Sequence, residues 1–392
     1  MITIHELGHY LAAKMLKIQV TEFSIGFGKA IFKRTSKKTG EVFAIRMIPL
    51  GGYCAFADED AAGSGFTKKK EEPIALVEKT EPNAIQEEKM WHQQNYQQSS
   101  GIKIEKSTND KKLFTYTEAA PWRRLIVLFS GAFFNFVSAI IFSVILLMIV
   151  GYTQGVMINT LTQNSASWGV ITPGDTILAV NGQEFTLLRG FGAVMSQFSA
   201  GDTVTLRILC GATGEILEGV NTQVTLATLA DGRPGLGVYL NTAQIVYQPM
   251  GFFSAIGRAF LFSFELAWVI LTFLWLLVSG QLGLSGIGGP ISTVSVMAAN
   301  ISSDFINIFL LLPLISVNLA VFNLLPIPAL DGARMIFVGV EWVRRKPINP
   351  EIEGRIHMVG LIILMGLVLL ADMNFLFGGG RGALELLGRW LL

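Results

Sequence analysis

Charge is scarce in this chain. Only 15% of its 392 residues are Asp, Glu, Lys or Arg, against about 25% in ordinary soluble proteins. Together with 51% hydrophobic residues and a mean hydropathy of +0.50, this argues against an ordinary soluble globular enzyme. It indicates a polytopic membrane protein. A formal net charge of +1 offers no electrostatic footprint for nucleic acid. Cysteine is almost missing, and Cys54 and Cys210 make no disulfide framework. Cys54 stands before a charged segment read as cytoplasmic, so no bridge between them is expected. The start has no basic stretch ahead of an apolar one, so no cleavable signal peptide is expected. Histidine is rare too: there are four, and two of them share one pentapeptide.

That pentapeptide is His5-Glu6-Leu7-Gly8-His9, an H-E-x-x-H motif within the apolar stretch 2–16. On a helix, residues at i and i+4 project from one face. Two neutral imidazoles so placed can share one Zn²⁺, and Glu6 can act as a base towards water. Ionisable groups are expensive inside an apolar helix, so function is their default reading. The bland alternative is a chance match.

Further apolar runs cover residues 125–150, 259–278, 305–325 and 358–370, each near the ~20 residues needed to cross a bilayer. The last is short. Basic clusters flank them: Lys29, Lys33, Arg34, Lys37 and Lys38; Arg123 and Arg124; Arg344, Arg345 and Lys346. The positive-inside rule places all three clusters in the cytoplasm. Residues 151–250, whose basic residues are Arg189, Arg207 and Arg233, suit the outside. If both 259–278 and 305–325 crossed, Arg344 would land outside. Residues 259–278 are therefore expected in the outer interface or against the core bundle, with Glu265 weak support for this.

Residues 58–112 are rich in Glu, Lys, Gln and Ser, and are expected to be a solvated, partly disordered insertion. His92 falls there and reads as a surface residue, as the Lys68-Lys69-Lys70 run reads as a hydrated segment. Residues 152–246 read as a small soluble domain. The segment from Gly169 to Gly182 joins a Pro-Gly-Asp turn, an apolar strand and an Asn-Gly turn. It resembles a PDZ domain, a fold that binds extended peptides at a sheet edge.

The run 305–325 ends in Asn323-Leu324-Leu325-Pro326-Ile327-Pro328-Ala329-Leu330-Asp331-Gly332. Two prolines two apart stop a regular helix. Freed backbone at membrane depth is tolerated only where protein or a cavity covers it. Protease zinc sites use three protein ligands, and His5, His9 and Asp331 would supply them. The alternative for Asp331-Gly332 is an ordinary turn.

With both segments in view, the chain resembles the bacterial site-2 proteases, intramembrane zinc metalloproteases of the regulator of sigma-E protease type. H-E-x-x-H and N-x-x-P-x-P-x-L-D-G are that family's two signatures. Phe23 to Gly28, Gly51-Gly52-Tyr53 and Gly289-Pro290-Ile291 also look like family segments. The likeness covers roughly residues 1–56 and 113–373. It implies Zn²⁺ on His5, His9 and Asp331, Glu6 as catalytic base, and Asn323 holding substrate backbone, with helix capping or packing the alternative for Asn323. It implies a mainly α-helical polytopic membrane protein of about four core helices with an inserted extracytoplasmic α+β PDZ-like domain.

The expected domains are 1–56 (first core helix and a membrane-associated β hairpin), 57–112 (the insertion) and 113–151 (second transmembrane helix). They continue with 152–246 (PDZ-like), 247–303 (interfacial helix and connector), 304–346 (third core helix) and 347–392 (fourth helix and tail). The expected partners are the bilayer and membrane proteins cleaved within a transmembrane segment, of the anti-sigma-factor or signal-peptide-remnant type. The PDZ-like domain is expected to bind substrate or a regulator, and to exclude large ectodomains. The membrane is expected to be the bacterial inner membrane, with the active site near the cytoplasmic side.

Three features depart from the family. Four residues precede His5, and a helix over 2–16 rises about 22 Å, short of a ~30 Å hydrocarbon core. The true start is therefore expected upstream, with about 15 further apolar residues. The 58–112 insertion is long. The second helix reads Gly131-Ala132-Phe133-Phe134-Asn135 where G-P-x-x-N is usual, which bears on helix geometry rather than chemistry. Two rivals stand beside the protease. One is a silent scaffold that presents the PDZ-like domain, against which the intact Glu6 argues. The other is a zinc sensor or transporter, against which the lack of internal repeats argues.

Overall fold

The computed structural model describes residues 1–37, 39–58, 113–160, 165, 167–218, 222–228, 234–236, 244–281, 295, 298 and 307–377. Most of the insertion, with Lys68–Lys70 and His92, lies outside them, as does Gly289-Pro290-Ile291. Helix α1 covers Ile2–Met15, followed by the long strands β1 (Val20–Thr35) and β2 (Val42–Phe56). Helix α2 is Pro121–Ile149. Then come β3 (Thr153–Met157), β4 (Thr176–Val180), β5 (Gln183–Thr186), the short α3 (Phe191–Met195) and β6 (Thr203–Leu209). Next are β7 (Ile216–Leu217), β8 (Gln223–Thr225), β9 (Ala227–Thr228), β10 (Pro234–Gly235) and β11 (Gln244–Tyr247). The chain closes with α4 (Phe252–Val278), α5 (Asn307–Leu324), α6 (Asp331–Arg344) and α7 (Pro350–Phe377).

The chain packs as two compact units. One comprises Met1–Gly8, Leu128–Ile336 and Val359–Leu392; the other comprises His9–Val127 and Phe337–Met358. Helix α1 is continuous through the division.

Helices α2 and α4 are 29 and 27 residues long, about 40 Å each at 1.5 Å per residue. Both are long and apolar enough to cross a membrane, as is Glu351–Leu370 within α7. Helix α5 is shorter, at 18 residues. The periodic small and apolar residues of α4 decide its packing. Ala255, Ala259, Phe262, Ser263, Leu266 and Ile270 form one buried stripe. The apolar members of that stripe pack with Ala139, Leu146, Leu147 and Val150 from α2 and the residue after it. Its other side exposes Phe253, Phe260, Phe264, Trp268 and Trp275. Glu265 has a partner in this helix. Arg258 donates to it at 2.7 and 3.0 Å, Tyr152 donates at 3.1 Å, and the Arg258 guanidinium lies 3.6 Å from the Tyr152 ring centre. Burial, then the Glu265 charge, raises the Tyr152 pKa above its ordinary value.

Between α2 and α4 lies the β-rich domain, whose sheet runs β11-β3-β5-β4-β6-β7 with β8 also on β6. Phe185, Ile177, Leu206, Ile208 and Leu236 centre its core. The two turns expected between 169 and 182 are present. The Asp175 carboxylate accepts from the Thr172 amide at 2.7 Å and from the Gly211 amide at 2.9 Å. Asn181 and Gly182 both take positive φ, 49° and 74°, between the paired Val180 and Gln183. This is the two-residue hairpin turn that Asn-Gly favours. Tyr152, Leu187 and Tyr247 pack against the cluster formed by α2 and α4, so this domain meets the helices through side chains as well as through its linkers.

In the second unit, residues 20–25 and 42–48 alternate in the manner of strands, and β1 and β2 run much further than those segments. Residues 22–25 pair both with 52–55 and with 42–45, and 32–35 pair with 42–45 as well. The hairpin thus curls into a sheet held by Arg46, which reaches Ser24 Oγ at 2.9 Å, the Gly28 carbonyl at 2.7 Å, Glu22 at 2.5 Å and Tyr53 at 2.8 Å. Burial alone would raise the Glu22 pKa, but hydrogen bonds from Arg46 and Tyr53 hold it below its ordinary value. Lys14 and Tyr10 of α1 both bond Glu41 at the hairpin's far end. The described residues on either side of 59–112 are joined, the Tyr116 amide donating to the Ala57 carbonyl at 3.0 Å.

Candidate active site

Helix α1 displays His5 and His9 one turn apart, both buried, with Glu6 half-buried beside them. Gly8 in the same motif has a steric reason. A Cβ there would come within 2.5 Å of the Ser130 carbonyl oxygen of α2, so only glycine lets the two backbones approach this closely. That approach sets the His5 ring against α2.

Asp331 arrives from the far end of the sequence. Helix α5 stops at Leu324, as Pro326 and Pro328 require. Residues 325–330 then turn through short hydrogen bonds, Leu325 to Phe322 at 3.0 Å, Ile327 to Leu325 at 2.8 Å and Leu330 to Ile327 at 3.1 Å. Ala329 takes a left-handed φ of 79°. Asp331 opens α6, with its carboxylate in that helix's first turn. Gly332 follows because a Cβ there would overlap the carbonyls of Leu324 and Leu325. Further along α6, Glu341 accepts from Arg124 at 2.6 Å and from the Ile348 amide at 3.0 Å, which holds the helix in place.

The result is a convergence. Asp331 Oδ2 lies 2.9 Å from His5 Nε2. His5, His9 and Asp331 each offer one ligand atom, all within 4.8 Å of one another. Two imidazoles and a carboxylate are a zinc donor set, and ligand atoms of a tetrahedral site stand about 3.4 Å apart at bond lengths near 2.1 Å. The residues present therefore fit the metal. The ring orientations fit as well. His9 Nδ1 lies 2.7 Å from the Val127 carbonyl, an acceptor that places its proton on Nδ1 and leaves the Nε2 lone pair for a metal. His5 Nδ1 lies 3.3 Å from Nδ2 of Asn135 and 3.3 Å from Nδ2 of Asn323.

Each site residue read from the sequence thus falls in one place: His5, Glu6 and His9 on α1, Asp331 on α6, Asn323 on α5. The residue missed is Asn135. It closes the Gly131–Asn135 segment, to which the sequence reading gives no chemical role, and it lies fully buried against His5. An asparagine in an apolar transmembrane run was the signal that could have found it. His357 is not one of the three grouped ligands; its ring lies against Phe337.

Residues 1–367 match Peptidase family M50. The chain is similar to the zinc metalloprotease RasP of Oceanobacillus iheyensis, 29% identical over 425 aligned positions that cover 95% of each chain. It is also similar to the regulator of sigma-W protease RasP of Bacillus subtilis, 28% identical over 420 positions with 95% of each covered. Among solved structures, the PDZ domain of an SdrC-like protein from Listeria innocua matches 22% of this chain and 91% of its own, at 24% identity and a TM-score of 0.20. The chain belongs to Peptidase family M50, the site-2 proteases, and is a membrane zinc metalloendopeptidase.

Proposed function

We propose that this enzyme cuts peptide bonds inside or beside the bilayer, in the transmembrane segments of membrane-anchored proteins, with zinc held by His5, His9 and Asp331. The observation that carries the reading is the meeting of those three side chains among apolar helices. Bound there, zinc supplies the Lewis acidity that peptide hydrolysis requires. Glu6, half-buried beside the ligands, accepts a proton from the attacking water and returns it to the leaving amine. His9 is oriented by the Val127 carbonyl, and the Asn323 contact with His5 favours a positioning role for Asn323 over the substrate contact expected from the resemblance.

A substrate helix must unwind before attack, because its peptide bonds are hidden in its own hydrogen bonds. The outer segments of the curled hairpin, 32–35 and 52–55, offer an edge to an extended chain. The sigma-W wording in the name of the Bacillus relative supports regulatory proteolysis; anti-sigma factors and signal-peptide remnants are the substrate types that the family resemblance implies. The basic residues at 29–38, 123–124 and 344–346 support a cytoplasmic placement for the α1 end of the site. The same charge pattern favours an outer position for the 152–246 domain, where it would filter out large ectodomains. Helix α4 packs on α2 through its buried stripe, which supports a place against the core bundle.

The test is cleavage of a membrane-anchored reporter by the full chain and by Glu6→Gln. Loss of cleavage with zinc retained supports the assignment. Cleavage that survives Glu6→Gln overturns it.

A further inference from the structure

Asn135 is 0% exposed. Its Nδ2 lies 3.3 Å from His5 Nδ1, while its Oδ1 is buried with no hydrogen-bond partner. A buried amide oxygen without a donor is costly and calls for an explanation. The imidazole beside it supplies one. An imidazole that binds a metal through Nε2 carries its proton on Nδ1, so Nδ1 becomes a donor and needs an acceptor. The two ends of an asparagine amide have nearly the same shape. A half-turn of the Asn135 amide would bring Oδ1 to the place where Nδ2 now stands, 3.3 Å from His5 Nδ1.

We infer that Asn135 is a positioning residue for His5: its side-chain oxygen accepts the Nδ1 proton and fixes the tautomer that leaves Nε2 for zinc. The inference rests on His5 being a zinc ligand. His9 is served in the same way by a backbone carbonyl, that of Val127 at 2.7 Å. His5 has a side chain in that role. Asn323 flanks the same nitrogen but is partly exposed, so water can replace it. Asn135, by contrast, is closed to bulk solvent.

Zinc affinity of the full chain in detergent, measured against a competing chelator, tests this alongside the melting temperature of the metal-free protein. Asn135→Leu is expected to weaken zinc about 10- to 100-fold, as loss of an outer-shell partner does. Asn135→Asp can only accept, and is expected to bind zinc as tightly as the parent or more tightly. If Asp weakens zinc as much as Leu, the amide was acting as a donor and the inference fails. If zinc affinity merely follows the melting temperature in both variants, Asn135 is packing and the inference fails. Should Asn135→Leu not fold, the Asp variant decides alone. His9→Ala separates the two levels. If His9→Ala keeps parental zinc affinity, the ligand assignment fails and this inference with it. If His9→Ala loses zinc and Asn135→Leu does not, only the positioning role fails.

Discussion

Two groups of polar side chains sit among the apolar helices, and they differ in what their charges face. In one, Arg258 brings its own cation to Glu265 and sits over the Tyr152 ring. That group is electrically complete, and its job is to fasten the start of the β-rich domain to α4. In the other, His5, His9 and Asp331 converge, and each of them offers a lone pair to a cation. Burying polar groups is expensive in both places. The first group offsets the cost internally; the second is arranged for a metal. Ionisable residues in a membrane helix are therefore not equivalent signals of function. Glu265 looked like evidence about helix placement, and it is an anchor.

The sharpest break of the comparison is to remove one member from each group and measure zinc in both. His9→Ala or Asp331→Asn should reduce bound zinc and reporter cleavage to background, with equilibrium dialysis and the cleavage assay as readouts. Arg258→Ala should leave zinc stoichiometry unchanged. Gly8→Ala acts on the second group through its frame. The added methyl meets the Ser130 carbonyl, so overpacking should cost about 1–3 kcal/mol and weaken zinc along with stability. A parental melting curve for Gly8→Ala would show that α1 and α2 are not held this closely.

Arg258→Ala should cost about 1–2 kcal/mol through its ring contact and its partly exposed ion pair, and proteolysis of the 152–246 domain should report it. The smallest effect concerns the hairpin. Its Glu22 carboxyl is held below the ordinary value of 4.5, so Glu22 adds stability above that pH, and the addition fades as pH falls through the folded value. Amide exchange in 20–56 should loosen towards acid in the parent and show less acid dependence in Glu22→Gln. An equal acid response in both would remove Glu22 from the account.

Much of this molecule could be read locally. Apolar runs and the Asn-Gly turn depend on neighbours in sequence, so α1, α2 and the 181–182 turn were legible, within a few residues at their ends. The run at 358–370 was under-read. Helix α7 extends from Pro350 to Phe377, because helix propensity carries past the apolar stretch into a polar first turn with Glu351 and Glu353. The hairpin was under-read for a different reason. Residues 26–35 and 49–56 do not alternate cleanly, and their strand form depends on curling against each other.

By itself the sequence determined the chemistry on offer: two histidines and a glutamate on one helix, an aspartate after a proline-stopped helix, and enough apolar length for a membrane. Spacing and propensity suffice for that, since they act over a turn or two of chain. Only the tertiary structure decided that Asp331 reaches His5, that Val127 orients His9, that Asn135 is buried against the His5 ring, and that Glu265 belongs to Arg258 and Tyr152. Most of these contacts join residues more than a hundred positions apart. They are set by how closely helices can approach, as at Gly8, and no local pattern encodes that distance.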